Sequence, residues 1–203
     1  MLYRLDPWDN KMKMTQTTHN ILDHFKRIID LTHQEIEVLK RLIVSTHIDK
    51  NTIIQKPGTT CKTIYFVSNG VARIFYWKED QDITEHFAFN DNIIIRAESL
   101  FQNQPTPKGI QAITPVQLVS IEADALFNLF PAYPNIERLF HKIIVHEYLQ
   151  ANKRIESLQL QTAHERYHQL MKETELIQVI PLKYIASYLG ITQVSLSRIR
   201  GQK

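Results

Sequence analysis

Cysteine is almost missing from this 203-residue chain, and long apolar runs are missing altogether. The lone Cys61 excludes an internal disulfide framework and any cluster that needs four thiolates from one chain. A reducing, cytoplasmic setting fits that usage. No stretch is apolar enough over sufficient length to cross a bilayer. Met1–Lys13 contains Asp6, Pro7 and Asp9 and lacks the apolar core of a secretory signal. Together with Met12 and Met14, this makes residues 1–14 read as a poorly ordered extension. Charge of one sign is also scarce, the net value being only +3. Hydrophobic residues, at 43%, are plentiful enough for a packed core and exclude wholesale disorder.

The small charge excess is unevenly placed. From Thr162 onward there are six Lys or Arg (Arg166, Lys172, Lys183, Arg198, Arg200, Lys203) against three acids, with no acid after Glu175. The remaining 18 basic and 18 acidic residues cancel. A basic C-terminal module on a neutral body is the pattern of a modest nucleic-acid binder. A chance imbalance of three charges is the plain alternative.

Apolar spacing divides the chain. Ile21 to Val44 carries a helical period (Ile21, Leu22, Phe25, Ile28, Ile29, then Ile36, Leu39, Ile43) broken near Leu31-Thr32, which predicts two short helices. From Ile48 the texture becomes strand-like. Thr52–Gln55 ends at Pro57-Gly58. Thr63–Val67 and Val71–Trp77 flank Asn69-Gly70, which predicts a hairpin because both positions tolerate positive φ. Lys78–Asp82 is a further turn, and Ile83, Glu85, Phe87 and Phe89 alternate as on a half-buried strand. Asn90-Asp91-Asn92 turns again. Two strands follow after Pro107, at Ile110–Ile113 and Val116–Ile121. This spacing indicates an antiparallel sandwich or roll.

The period then changes. Glu122–Phe130 reads as a short helix stopped by Pro131, and Asn135 to about Gln159 as a long one free of Pro and Gly. Ile136, Phe140, Ile144, Tyr148, Ala151, Ile155 and Leu158 recur along it. About 24 helical residues span roughly 36 Å, more than one small sheet can cover. A parallel helix from a second copy is the simplest partner, and a core helix capping the roll the alternative. The expected interface comprises Phe140, Ile144, Tyr148, Ala151, Ile155 and Leu158.

Thr162-Ala163-His164-Glu165 has the form of a capping box, followed by an apolar face at Tyr167, Leu170 and Met171. In Pro181–Arg200, Pro181 suits a helix start, Ala186 a close crossing and Gly190 a left-handed helix end. Ile191 fills the turn and Thr192 caps a second helix. Ile185, Leu189, Leu196 and Ile199 form a seam, leaving Gln193, Ser195, Ser197, Arg198 and Arg200 as a polar, basic face suited to a major groove. The pattern is that of a helix-turn-helix.

With these pieces in order, the chain from about Thr15 onward resembles the Crp/Fnr regulators, in the short-tailed form common in Bacteroidetes-type bacteria. Lys62–Val71 and Pro181–Arg200 carry the resemblance. It implies an α+β architecture: a jelly-roll-like antiparallel β-roll sensor (residues 15–133), a dimerisation helix (134–160) and a helix-turn-helix domain (161–203). It also implies a homodimeric, sequence-specific transcription regulator on a palindromic operator, working with RNA polymerase, with no cofactor and no enzymatic activity. The expected DNA contacts are Thr192, Gln193, Val194, Ser195, Ser197, Arg198 and Arg200. Arg198 is placed to read guanine, whereas Val194 stands where many members have a glutamate that accepts from cytosine. The sequence ends three residues after Arg200 without a β-hairpin wing, so loose binding and a shallow log–log salt slope of roughly −4 to −5 are expected.

A cyclic-nucleotide pocket in that family needs a Gly-Glu pair and an Arg followed by Ser or Thr. Here Asn92–Ser99 contains no glycine, and the Arg-Ser positions fall on Thr106 and Pro107. Cyclic AMP is therefore not the expected ligand, because burying its phosphate without the arginine leaves a charge unpaired. Arg96, Glu98, Ser99 and Thr106 are the candidate lining for some other effector. Arg96 offers an anion contact, although an Arg96–Glu98 surface ion pair is the plainer expectation. A small-anion sensor or dimeric scaffold without DNA binding is the alternative function.

His164-Glu165-Arg166-Tyr167-His168 matches the H-E-x-x-H pattern of zinc hydrolases. A third ligand at suitable spacing is lacking, since Glu173 and Glu175 follow too closely, and Thr162 and Glu165 already serve as a cap. No metal site is expected on these grounds, and Cys61 is read as a packed roll residue.

Overall fold

In the computed structural model, residues 21–173 and 175–201 are described; the 1–14 extension lies outside them. Helix α1 covers 21–28 and α2 covers His33–Leu42. The break between them is a cap: the Thr32 hydroxyl accepts the Glu35 amide while the Glu35 carboxylate accepts the Thr32 amide at 2.8 Å.

Eight strands follow. β1 (Val44–Ile48), β8 (Val116–Glu122), β3 (Thr63–Asn69) and β6 (Ile93–Ile94) form one antiparallel sheet in that order. β2 (Ile53–Gln55), β7 (Gly109–Ala112), β4 (Ala72–Lys78) and β5 (Gln81–Ala88) form the other. Alternation along the strands sorts side chains between faces. Val67, Ala72, Ile74, Ile94, Ile110, Val116 and Leu118 fill the space between the sheets. Ile64, Phe66, Val119 and Ile121 point from the first sheet toward α1, α2 and the helices that follow the roll.

The Asn69-Gly70 hairpin expectation is overturned. β3 and β4 do not pair; they belong to different sheets, and the dipeptide turns the corner between them. Only Gly70 adopts positive φ (98°), and a Cβ there would collide with the Pro115 carbonyl. Its amide is held by Asn90 Oδ1 at 3.0 Å and the Val71 amide by Thr114 Oγ1 at 2.9 Å, so the corner is fastened to loops rather than closed as a ladder. The tight hairpin lies at Glu79-Asp80 between β4 and β5, where both residues take positive φ (47° and 63°). That geometry matches the twist of the flanking strands.

Helix α3 (Ala97–Gln102) interrupts the roll, and α4 (Ala123–Phe127) leaves it toward α5 (Pro134–Leu160), a 27-residue helix with Pro134 in its first turn. The beginning of α5 buries Ile136, Leu139 and Ile143 in the helical side of the core. Phe140 packs with Phe127, Phe130 and Phe101, so within the protomer it contributes to that same core. Beyond Ile144, the large apolar residues Val145, Tyr148 (64% exposed), Leu149, Ile155 and Leu158 lie open. None of the described helices is long and apolar enough to cross a membrane.

The chain ends in α6 (Ala163–Glu173), a 3-10 turn (Glu175–Val179), α7 (Leu182–Leu189) and α8 (Gln193–Gly201). The expected cap of α6 is present, with the Thr162 amide donating to Glu165 at 2.7 Å. These helices do not close a core of their own. Leu170, Ile177, Ile180, Tyr184, Ile185, Leu189 and Leu196 share one cluster with Val71, Phe87 and Ile113 of the roll. β5 packs against α7, burying Thr84, Phe87 and Ala88, while Asp82, Ile83, Glu85 and His86 stay half-buried.

Candidate nucleic-acid interface and effector region

α7 and α8 are held at a fixed angle by local chemistry. Gly190 ends α7 in the left-handed conformation (φ 70°), and its amide returns to the Ser187 carbonyl. Thr192 Oγ1 then accepts the Ser195 amide at 3.1 Å, opening α8. Leu189 and Leu196 are fully buried in the seam, while Ile191 and Ile199 are half-buried. The expected reading residues share the free side: Thr192, Gln193, Val194 (62% exposed), Ser197, Arg198 and Arg200 face solvent, with Ser195 half-buried at the cap. Among the described residues, neither arginine has a carboxylate partner.

Beneath this unit lies a joint that sequence reasoning missed. Arg73 of β4 is 2% exposed and bonds both carboxylate oxygens of Asp82 at 2.6 and 2.7 Å, Thr84 Oγ1 at 2.9 Å and Gln111 Oε1 at 2.9 Å. The guanidinium lies 3.7 Å from the centroid of Tyr184 on α7 and 4.6 Å from that of Phe75. Ser187 Oγ accepts the Thr84 amide at 2.9 Å, and Tyr188 packs on Phe87 at 5.1 Å. Arg154 of α5 stacks on the Tyr188 ring and donates to its carbonyl. Arg166 of α6 bonds the carbonyls of Gln161 and Leu189. Roll, long helix and terminal helices thus converge on α7.

The four effector candidates are only partly brought together. The Arg96–Glu98 ion pair is not formed: Glu98 takes Lys108 at 3.6 Å, and Lys108 also takes Glu85 at 2.8 Å. Arg96 is instead buried (6% exposed), and its Nε finds no hydrogen-bond partner among the described residues. Ser99 donates to the Gln104 carbonyl at 2.7 Å, and Thr106 bridges to Thr59 with its carbonyl accepting the Gly58 amide at 2.7 Å. Both are fully buried and structurally committed. Cys61 is buried as expected, and burial pushes its thiol up.

His86, also near Arg96, is driven down to about 4, first by loss of solvent and then by the Arg96 charge. The unfolded chain takes a proton near 6.5 that the folded protein refuses, so this contribution is complete above pH 6.5 and disappears as pH falls toward about 4. A loss of up to about 3 kcal/mol is expected over that window. Urea midpoints at pH 7 and pH 4.5 check it; His86→Gln should flatten the difference. Glu147 on α5 has the opposite sign: burial raises it to about 7, and its contribution fades as pH rises through that value.

The H-E-x-x-H residues do not form a hydrolytic centre. Glu165 is turned back onto the Thr162 amide and hydroxyl, which occupy its carboxylate.

Comparison with known proteins agrees with this architecture. Residues 45–133 match the cyclic nucleotide-binding domain family. No curated protein matches the chain. FixK2 from Bradyrhizobium japonicum is similar in structure at a TM-score of 0.69 and 17% identity, over 79% of this chain and 83% of that one. A regulator assigned to the Crp/Fnr family from Eubacterium rectale gives 0.65 and 17%, over 84% and 82%. The c-di-GMP responsive global regulator CLP of Xanthomonas campestris gives 0.64 and 15%, over 82% and 89%. The family match is thus confined to the β-roll and α4, residues 45–133. The fold of the chain is shared with these three proteins.

Proposed function

We propose that the protein is a cytoplasmic, sequence-specific DNA-binding transcription regulator that works as a homodimer and answers to an effector other than cyclic AMP. The observation that carries this reading is α8: a rigidly seated helix whose free face consists of Gln193, Val194, Ser197, Arg198 and Arg200, with both arginines unpaired by carboxylates among the described residues. Such a face is suited to a major groove, and α7–α8 then act as a helix-turn-helix. The open apolar residues Tyr148, Ile155 and Leu158, with Ala151 and Ile144 between them, supply a stripe for a second α5. In this reading residues 15–133 sense, 134–160 dimerise and 161–203 bind DNA, and RNA polymerase is the further partner.

Selection of duplex DNA from a random pool by the full chain is the direct test. A palindromic consensus with half-site centres about 34 Å apart, one helical turn, is expected. Recovery of no consensus, together with salt-independent retention of DNA, would remove the DNA reading.

A second reading, a small-anion sensor without DNA binding, is favoured by Arg96. A buried guanidinium nitrogen without a partner is costly unless something supplies an acceptor. Thr106 holds the roll's loops where a phosphate-binding arginine would be required, which argues for an anion other than a cyclic nucleotide. Calorimetric titration with cyclic AMP should show no micromolar binding.

A further inference from the structure

With Glu165 engaged as a cap, two histidines of the H-E-x-x-H segment are left without an assigned role. His164 and His168 lie one turn apart on the exposed face of α6, with their Nε2 atoms 3.1 Å apart and ring centroids 4.3 Å apart. We propose that this pair is a chelating site for a divalent transition-metal cation of the copper, nickel or zinc class, distinct from both the DNA-reading face and the effector region.

The separation is the first argument. Two imidazole nitrogens bound to one metal at about 2.0–2.1 Å lie about 2.9 Å apart at a right angle and about 3.4 Å apart at the tetrahedral angle. The observed 3.1 Å falls between these, so both rings can reach one cation with only small rotations. In the metal-free pair one nitrogen donates a proton to the other. On cation binding the donor ring changes to its Nδ1–H tautomer, its Nε2 proton passing to Nδ1 through solvent, so that both Nε2 lone pairs face the cation.

The surroundings leave the position open. The Glu165 carboxylate is held by Thr162, and the Arg166 guanidinium is turned to the carbonyls of Gln161 and Leu189. Tyr167 and His168 form a T-shaped pair with ring centroids 5.7 Å apart. Among the described residues no third His, Cys, Asp or Glu joins the pair, so water completes the coordination. Among the described residues the adjacent carboxylate, Glu165, is engaged by Thr162 and is not free to activate such a water. Imidazole donors select borderline cations over magnesium and calcium, which demand oxygen.

The pair also has a place in the fold's wiring. Nitrogens at positions i and i+4 converge only while the segment is helical, so the cation binds folded α6 and stabilises it by mass action. α6 is the element whose Arg166 ties the end of α5 to the end of α7. Metal binding therefore stiffens the connection between the long helix and the helix pair.

Titration of the full chain with nickel chloride in a calorimeter tests the proposal. One nickel per chain is expected, with no heat from magnesium chloride, and a thermal midpoint that rises with nickel. His164→Gln and His168→Gln should each weaken binding at least about tenfold and abolish the nickel-dependent rise. His141→Gln, an exposed histidine on α5, should change neither. Thermal midpoints in chelator show that the variants remain folded. Wild-type affinity in both His164→Gln and His168→Gln, or no nickel binding by the wild-type chain, would overturn the proposal.

Discussion

Arg73→Met is expected to destabilise the protein by about 3–5 kcal/mol, the largest effect of any single substitution outside the hydrophobic cores. The arginine carries a nearly inaccessible charge, and its removal strands the Asp82 carboxylate, Thr84 and Gln111 together. Asp82 retains 21% exposure, so water relieves part of the penalty and places the loss toward the lower end of that range. Tyr184 loses the cation it stacks on, which adds about 0.5–2 kcal/mol and aims the damage at α7. For a chain of this size the midpoint should fall by roughly 10 °C. Urea and thermal unfolding followed by far-UV circular dichroism measure it. Asp82→Leu added to Arg73→Met should recover part of the loss, because replacing both members of a buried pair is milder than orphaning one. Tyr184→Phe keeps the aromatic face and should change little. If Arg73→Met unfolded like the wild type, the joint would be a bystander.

In the proposed function, that joint would make β5 the strand connecting the effector region with α7 and α8. Glu85 and His86 lie within the electrostatic reach of Arg96, and His86 within that of Arg154. Their neighbours on the same strand, Asp82, Thr84 and Phe87, hold Arg73, Ser187 and Tyr188. An anion paired with Arg96 changes the charge balance around Glu85 and His86 one or two residues from the grip on α7.

What the sequence made legible was chemistry that acts over a few residues. The capping box at Thr162, Gly190 in its left-handed turn and the buried Leu189–Leu196 seam all follow from positions near in the chain. Pairing of strands did not follow. Asn69-Gly70 announces a turn, yet a turn signal cannot say whether the next strand returns beside the last or crosses to another sheet. β1, the two-residue β6 and α3 escaped notice because each is too short for a period, or lies against a stronger helical one. The joint was invisible for a different reason. Its hydrogen bond from Thr84 to Ser187 spans 103 positions, and neither residue differs in type from an ordinary surface one. Arg96 misled in the same way, since an arginine two residues before a glutamate reads as a surface pair until the fold gives that glutamate to Lys108.

Arg198→Ala should separate base reading from simple charge attraction. A bidentate arginine–guanine pair contributes about 1–3 kcal/mol of discrimination. A symmetric dimer presents two such pairs, so the selected operator should be bound with about 2–6 kcal/mol less free energy, a weakening of about 30-fold to about 3 × 10⁴-fold. Affinity for non-specific duplex should change far less, because that binding depends on phosphates rather than base edges. Arg200→Ala, two residues on and still exposed, should act in the opposite way. If its contact is a phosphate, both DNAs lose affinity together and the magnitude of the log–log salt slope falls by about one for each protomer. Val194 sharpens the distinction, since its exposed apolar side chain can touch a thymine methyl but accepts nothing from cytosine. Val194→Glu should therefore move the preferred base at one symmetric position while leaving the salt slope nearly intact. Fluorescence anisotropy on operator and scrambled duplexes at two salt concentrations reads all three variants. Equal losses on both DNAs for Arg198→Ala would make Arg198 a phosphate contact and shift base reading onto Gln193 and Val194.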